Sequence, residues 1–338
     1  MYVTPRPDVR EDPLFAVRLA LIGTLGYAAI PLLDPALPAV IAALPLGIIA
    51  GTRKAFVPVK ALAGPLILIV LVFAMTWLVE HLVPMPAIFL GVMWLLYFLG
   101  FREILRTGTP LGMLVIVVVL IMSVMGMHGT ATVEVLRDDL ALAALVALVL
   151  APLVYALLPA HTREVQVDNP LPSPGNITIG AAIRATVLLG LSFWLYSVMS
   201  PSDLTMALVA AMVIVFPTRG MVWGEAGQRV RATLLGAACA TFVLSVFLLS
   251  SHLPILLGLI FLIGLWLGNK MLNGHHPSMV YQYAFSVALS LIAGALSTQD
   301  PAYASFTRIV LTLAGAFSAA FAVALLDSLL GWRDQRST

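Results

Sequence analysis

An all-α integral membrane protein of about twelve transmembrane helices, laid out as two tandem six-helix units, is the fold class this sequence predicts. Three observations carry it. Hydrophobic residues make up 61% of the chain and charged residues only 10%. A soluble domain carries about 25% charged residues, so this composition cannot cover an ordinary aqueous surface. Apolar runs of membrane length succeed one another along the whole chain, and the chain resembles itself at an offset of 166 residues.

Breaks at charges and at Pro/Gly clusters place six spans near 14–33, 36–51, 58–79, 85–101, 110–128 and 138–158. Six more follow near 180–199, 204–217, 230–250, 253–269, 278–297 and 304–326. The second and eighth are short, and the second carries Pro38 and Pro45, as expected of a half-span packed against a cavity. "VRLALIGTLGYAAIPLLDP" (17–35) lies over "IRATVLLGLSFWLYSVMSP" (183–201) without a gap. Arg18 meets Arg184, and Thr52-Arg53 meets Thr218-Arg219. With small insertions, Val59-Lys60-Ala61 meets Val230-Arg231-Ala232, His81 meets His252, Thr109-Pro110 meets His276-Pro277, and Arg137 meets Arg308. An even number of spans per unit sets both copies the same way up. The organisation is then a tail (1–13), a first repeat (14–158), a linker (159–179), a second repeat (180–330) and a tail (331–338).

Basic residues favour the cytoplasmic side of short loops. With the N-terminus inside, sixteen of the 18 Lys and Arg lie on that side, and only Arg137 and Arg308 lie on the other. Both termini are therefore expected to be cytoplasmic. A net charge of +2 gives no reason to expect nucleic acid, and the single cysteine, Cys239, permits no intrachain disulfide or thiolate metal site. The polar N-terminus "MYVTPRPDVREDP" has no apolar core and does not read as a secretory signal. A P-loop, a myristoylation start and a CaaX end are absent, and no cofactor is implied. Adjacent His275 and His276 lack nearby carboxylate or thiolate ligands, so no metal site is expected.

An arginine at the head of an apolar first helix ("FAVRLALIGTLGYAAIPLL"), a short proline-containing second helix, basic turns after it and the repeated six-helix unit together resemble the fusaric-acid-resistance and aromatic-acid-exporter family. Within it, the chain is similar to compact members that carry little besides the helices. The resemblance implies a subunit of an efflux system in a bacterial-type inner membrane that exports small organic, often aromatic, acids. It also implies proton drive and a periplasmic adaptor of the membrane-fusion type. Larger members carry a sizeable cytosolic domain after each helical unit, whereas here there is a short linker.

Ionisable groups within or near the bilayer are functional candidates by default. Arg137 and Arg308, at the outer ends of the sixth and twelfth spans, can hold a carboxylate through forked hydrogen bonds, or can pair with Glu134, Asp138, Asp139 and Asp300 as surface ions. Arg18 and Arg184 start the first and seventh spans, either as an anion entrance or as lipid-headgroup anchors. Arg53 and Arg219 end the second and eighth spans and would line a cytoplasmic vestibule or cap the helix. Proton coupling has Asp138, Asp139, Glu80 and Asp34 as candidates, with Asp203, His81 and His252 behind them. In "HHPSMVYQYAFSVALS" (275–290), Ser278, Tyr281, Gln282, Ser286 and Ser290 add polar groups to an otherwise apolar helix and would line a path for an aromatic substrate. The counterpart at 109–123 is almost wholly apolar.

The leading expectation is an efflux transporter subunit, monomeric or homo-oligomeric, in contact with membrane lipid, an organic acid and an adaptor. A passive organic-anion channel is the alternative, since a channel needs no membrane carboxylate. An enzyme acting on lipid-linked substrates is not expected, because Asp138-Asp139 lacks the further acidic residue of a metal-diphosphate site and no HExxH occurs.

Overall fold

In a computed structural model, residues 12–51, 56–108, 111–161, 176–198, 219–297 and 301–329 are described, and every regular element among them is an α-helix. In order these are α1 (Phe15–Leu33), α2 (Pro38–Gly51), α3 (Pro58–Leu82), α4 (Pro86–Thr107), α5 (Leu111–His128) and α6 (Thr130–Leu157). There follow α7 (Ile177–Val198), α8 (Arg219–Leu249), α9 (Leu253–Asn273), α10 (Ser278–Ser297) and α11 (Pro301–Leu329). The predicted eighth span, 204–217, lies outside the described residues, so from α8 onward helix numbers run one behind span numbers. Among the described residues, nine helical stretches are long and apolar enough to cross a membrane, and α2 and 309–325 of α11 are shorter apolar helices.

Local chemistry sets the helix ends. Proline occupies the first position of α2, α3, α4 and α11, where its missing N–H costs no hydrogen bond. Gly108 closes α4 at φ 72°, and its N–H bonds to Ile104 O at 2.7 Å. Gly129, at φ 145°, separates α5 from α6 by a single residue. Asp34 closes α1 in the left-handed conformation, its N–H bonded to Ile30 O at 2.9 Å.

Two helices start earlier than the charge breaks suggest. The charges Arg137, Asp138 and Asp139 lie inside α6, and Glu225 and Arg229 lie inside α8. Charged residues have adequate helix propensity, so a charge ends the apolar stretch without ending the helix. At 31 residues α8 runs to about 46 Å, longer than a bilayer core of about 30 Å requires.

The packing interleaves the two halves of the chain. One buried cluster joins α3–α6 with α7, the start of α8 and α11. The other joins α1, α2 and the end of α6 with α8, α9 and α10. Thus α1 crosses to pack on α9, and α7 packs on α4. The α1–α9 seam is built from small residues. A β-carbon at Gly268 would lie 2.8 Å from Ala16 Cα, and one at Gly264 would lie 2.9 Å from Ala20 Cα. The α4–α7 seam uses polar groups instead. Trp94 Nε1 donates to Thr186 Oγ1 at 3.0 Å, and the buried Tyr97 hydroxyl lies 3.4 Å from Ser192 Oγ and 3.2 Å from Ser123 Oγ. Leu32, Val70, Trp77, Leu248 and Phe321 stand out on the surface, as expected of side chains that face lipid.

Candidate functional site

Among the described residues, the buried charges other than Asp139 gather near the arginine-rich ends of the helices. Arg18, in the first turn of α1, is fully buried. It pairs with the equally buried Asp12, which precedes the helix, and its guanidinium lies 4.6 Å from the centre of the Tyr155 ring of α6. A further bond runs from Nη1 to Leu158 O at 3.4 Å, and this arginine thereby ties the start of α1 to the end of α6. Among the described residues, Asp12 Oδ1 and Arg18 Nε have no hydrogen-bond partner. Arg184, aligned with Arg18, is also fully buried, and its Nη1 donates to Gly180 O at 3.0 Å.

A second carboxylate, guanidinium and phenol come together on α8 and α10. Arg229 Nε donates to Glu225 Oε1 at 3.0 Å, one helical turn earlier, and both side chains are less than a tenth exposed. The Arg229 guanidinium carbon lies 3.4 Å from the centre of the Tyr283 ring, in stacking contact. The sequence reading passed over Glu225 and Tyr283, and it used Arg229 only to orient the chain. The available signal was the i,i+4 spacing of Glu225 and Arg229, which goes unnoticed when the span is begun at 230. Asp12 was missed because it precedes the predicted first span, and Tyr155 because its partner Arg18 lies far away in sequence.

The outer-end candidates are placed differently. Arg137 Nε bonds to Asp138 Oδ1 at 2.8 Å with the two side chains 25% and 65% exposed, and the guanidinium lies 5.4 Å from the Phe73 ring centre. Glu134 and Glu80 lie within electrostatic range of it. Arg308 lies on α11, but its side chain is outside the described ones, so its geometry beside Arg137 is not defined. Asp139 turns away from Asp138. It is buried, and its Oδ2 accepts the Leu37 N–H at 2.6 Å, immediately before α2. A carboxylate there satisfies donors at a helix start and complements the helix dipole. Asp34 is exposed in the turn between α1 and α2, and Glu80 is half-buried at the end of α3. His81 bonds Trp77 O at 2.7 Å from an exposed position, and His252 precedes α9 as its cap residue.

Tyr281 faces a turn. Its hydroxyl accepts the His276 N–H at 3.2 Å, and a β-carbon at Gly274 would collide with it. Its buried ring holds down the α9–α10 connection. Gln282 is half-buried on the same helix. Arg53 lies outside the described residues, and Arg219 opens α8 with a side chain that is not among those described. No group of three or more metal-ligating side chains occurs among the described residues.

The helices, the lipid-facing apolar surface and the buried charges define a multi-pass membrane protein. Residues 191–322 match the model of the family described as fusaric acid resistance protein-like. Over that stretch, which runs from the end of α7 into α11, the chain is similar to this family. The matched stretch includes Glu225, Arg229, Tyr281, Gln282 and Tyr283. No curated protein and no solved structure matches the chain.

Proposed function

We propose that this protein is the inner-membrane subunit of an efflux system for small organic acids, aromatic carboxylates foremost. In this reading it is driven by protons, works with a periplasmic adaptor, and has both termini in the cytoplasm. The observation that carries the reading is the burial of Arg18 and Arg184 at aligned positions in the two halves. Burying an arginine beside a membrane is costly, and such residues mark substrate or ion pathways. In this reading an anion arriving from the cytoplasm has to displace the present partners of these two closed-off guanidinium groups near the starts of α1 and α7.

The tandem six-helix arrangement is part of the proposal, and helix packing supports it. Counted by span, α1 on α9 is the first span on the tenth, and α7 on α4 is the seventh on the fourth. These two pairs exchange when the halves are exchanged. The same holds for α3 with α6 against α8 with α11, for α3 with α5 against α8 with α10, and for α4 with α5 against α9 with α10. Such pairing is expected of parallel repeats about an axis along the membrane normal. The partners that would answer the contacts of α2 involve the eighth span.

The test uses inverted membrane vesicles, a pH-sensitive dye and a panel of aromatic carboxylates. Substrate-dependent proton release from the lumen that is lost in Arg184→Gln supports a coupled exporter. An anion current without any proton signal overturns coupling and makes the protein a channel.

A further inference from the structure

We propose that Asp12 is a built-in competitor for the substrate's carboxylate: it occupies Arg18, and an aromatic carboxylate enters by displacing it, with its ring beside Tyr155 and Phe56. The inference rests on the transport reading above and names the group that holds the Arg18 entrance until substrate arrives.

The present occupant fits the arginine incompletely. Arg18 and Asp12 are both fully buried, yet the pair is made through Nη2 and Oδ2 alone. Among the described residues, the other carboxylate oxygen and the neighbouring Nε have no hydrogen-bond partner. A guanidinium and a carboxylate meet best as a fork of two parallel bonds, and a buried polar atom left without a partner is costly. A free carboxylate can engage Nε and Nη2 together, where Asp12 engages one of them. The guanidinium itself has other supports. Nη1 donates to Leu158 O at 3.4 Å, and the Tyr155 ring centre lies 4.6 Å from the guanidinium carbon. Those contacts hold Arg18 in place when Asp12 leaves.

The surroundings suit an arene. Phe56, just before α3, stacks on the Tyr155 ring with the centroids 4.6 Å apart and the planes at 30°. Two stacked rings beside a guanidinium favour an aryl body over a hydrated inorganic anion. The second half keeps the arginine without this setting. Aligned with Asp12, Phe56 and Tyr155 it has Thr178, Val222 and Leu326. The segment before α7 has a different task, with Asn176 Oδ1 accepting the N–H groups of Thr178 and Ile179 at 3.2 and 3.3 Å as a helix cap. Arg184 is fully buried all the same, so a buried arginine at this position does not call for an acid six residues before it. The acid and the rings are particular to the first half, and an ion pair repays its burial too poorly to be there for stability alone.

The exchange needs little movement. Asp12 lies outside α1, where its carbonyl accepts the Phe15 N–H at 3.2 Å, and the next residue, Pro13, is exposed. A swing of the chain about Pro13 takes the carboxylate to water. Phe56 precedes α3 and Leu158 follows α6, so the cluster sits at one end of the bundle and a ligand reaches it without crossing the bilayer. One carboxylate replaces another on the same guanidinium, the displaced Asp12 is ionised in water, and no proton moves. A tethered competitor acts at high effective concentration and weakens apparent affinity by the fraction of chains it closes.

The experiment uses the full chain purified in detergent, radiolabelled benzoate as the probe and benzamide as its uncharged control. Asp12→Asn removes the competing charge and is expected to bind benzoate about tenfold or more tightly than wild type. Asp12→Asn with Arg18→Gln is expected to lose that gain. In thermal unfolding, Asp12→Ala is expected to melt below wild type. Saturating benzoate, but not benzamide, should restore most of that loss while moving wild type far less. Equal affinity in wild type and Asp12→Asn overturns the proposal. So does a gain that survives Arg18→Gln, or an Asp12→Ala that aggregates even in saturating benzoate. Benzoate flux in proteoliposomes separates the two readings. Flux by wild type with no gain of binding in Asp12→Asn overturns this site alone. Tighter binding by Asp12→Asn with no flux in either chain supports the site and overturns the transport reading.

Discussion

Arg18 shows what decides the worth of a charged residue here. It is fully buried with Asp12, so removing one partner strands the other in a low-dielectric interior. Arg18→Ala is expected to destabilise the protein by about 3–5 kcal/mol, read as a lowered midpoint in thermal unfolding of the detergent-purified chain. Arg18→Gln combined with Asp12→Asn should recover part of that loss. Arg137 is the opposite case, a partly exposed guanidinium beside an exposed Asp138. Arg137→Ala should change stability by less than ~1 kcal/mol, and a larger drop in the same melt would mean that its contact with Phe73 contributes beyond the surface pair. Both arginines stood out in the sequence, Arg18 by alignment with Arg184 and Arg137 by breaking the charge bias. Their burial was not legible, because it depends on Tyr155 and Leu158 returning to α1 from more than a hundred residues away.

At the scale of the element, the same motif has two outcomes. Gly47/Gly51 and Gly264/Gly268 share a spacing, and sequence alone marks both as close-packing candidates at most. Among the described residues, only the second pair meets a neighbour, while a β-carbon at Gly47 or Gly51 meets none within 4 Å. Gly268→Leu should therefore part α1 from α9 and abolish a monodisperse peak in size-exclusion chromatography. Gly47→Ala should raise helix stability by about 0.5–1 kcal/mol, since the residue lies within α2. The short helix α2 is tied at its start by Asp139. Asp139→Ala should cost roughly 0.5–2 kcal/mol and quicken amide exchange at the start of α2, whereas Asp139→Asn keeps an acceptor and most of the protection. The sequence marked Asp139 as a possible proton carrier through its neighbour Asp138. The contact with Leu37 gives it a structural task that spacing along α6 does not reveal.

For the whole molecule, the consequence of the packing is that neither half of the chain forms its own body. Helix α1 lies among α9 and α10, and α7 lies against α4 and α5. In a Cys239→Ser background, cysteines replacing Trp94 and Thr186, whose side chains are hydrogen-bonded across the seam, should be joined by a short, reducible bifunctional thiol reagent. With a protease site placed in 159–179, the cross-linked halves should then migrate together until reduced. Halves that separate without reductant would show that α4 and α7 do not pack.

Composition and hydropathy by themselves determined that this is a helical membrane protein, because continuous apolar runs of about 20 residues satisfy their backbone in lipid as helices, whereas barrel strands are shorter and alternate. Self-similarity and the bias of basic residues led to the tandem reading, since both survive divergence of the apolar residues between them. Which charges are buried, which glycines touch a partner and which carboxylate meets which arginine were decided by tertiary structure alone. Those properties belong to pairs of residues brought together by packing. Glu225 and Tyr283 illustrate it: an acidic residue in an apparent loop and a tyrosine in an apolar helix become neighbours of one arginine only when α8 lies along α10.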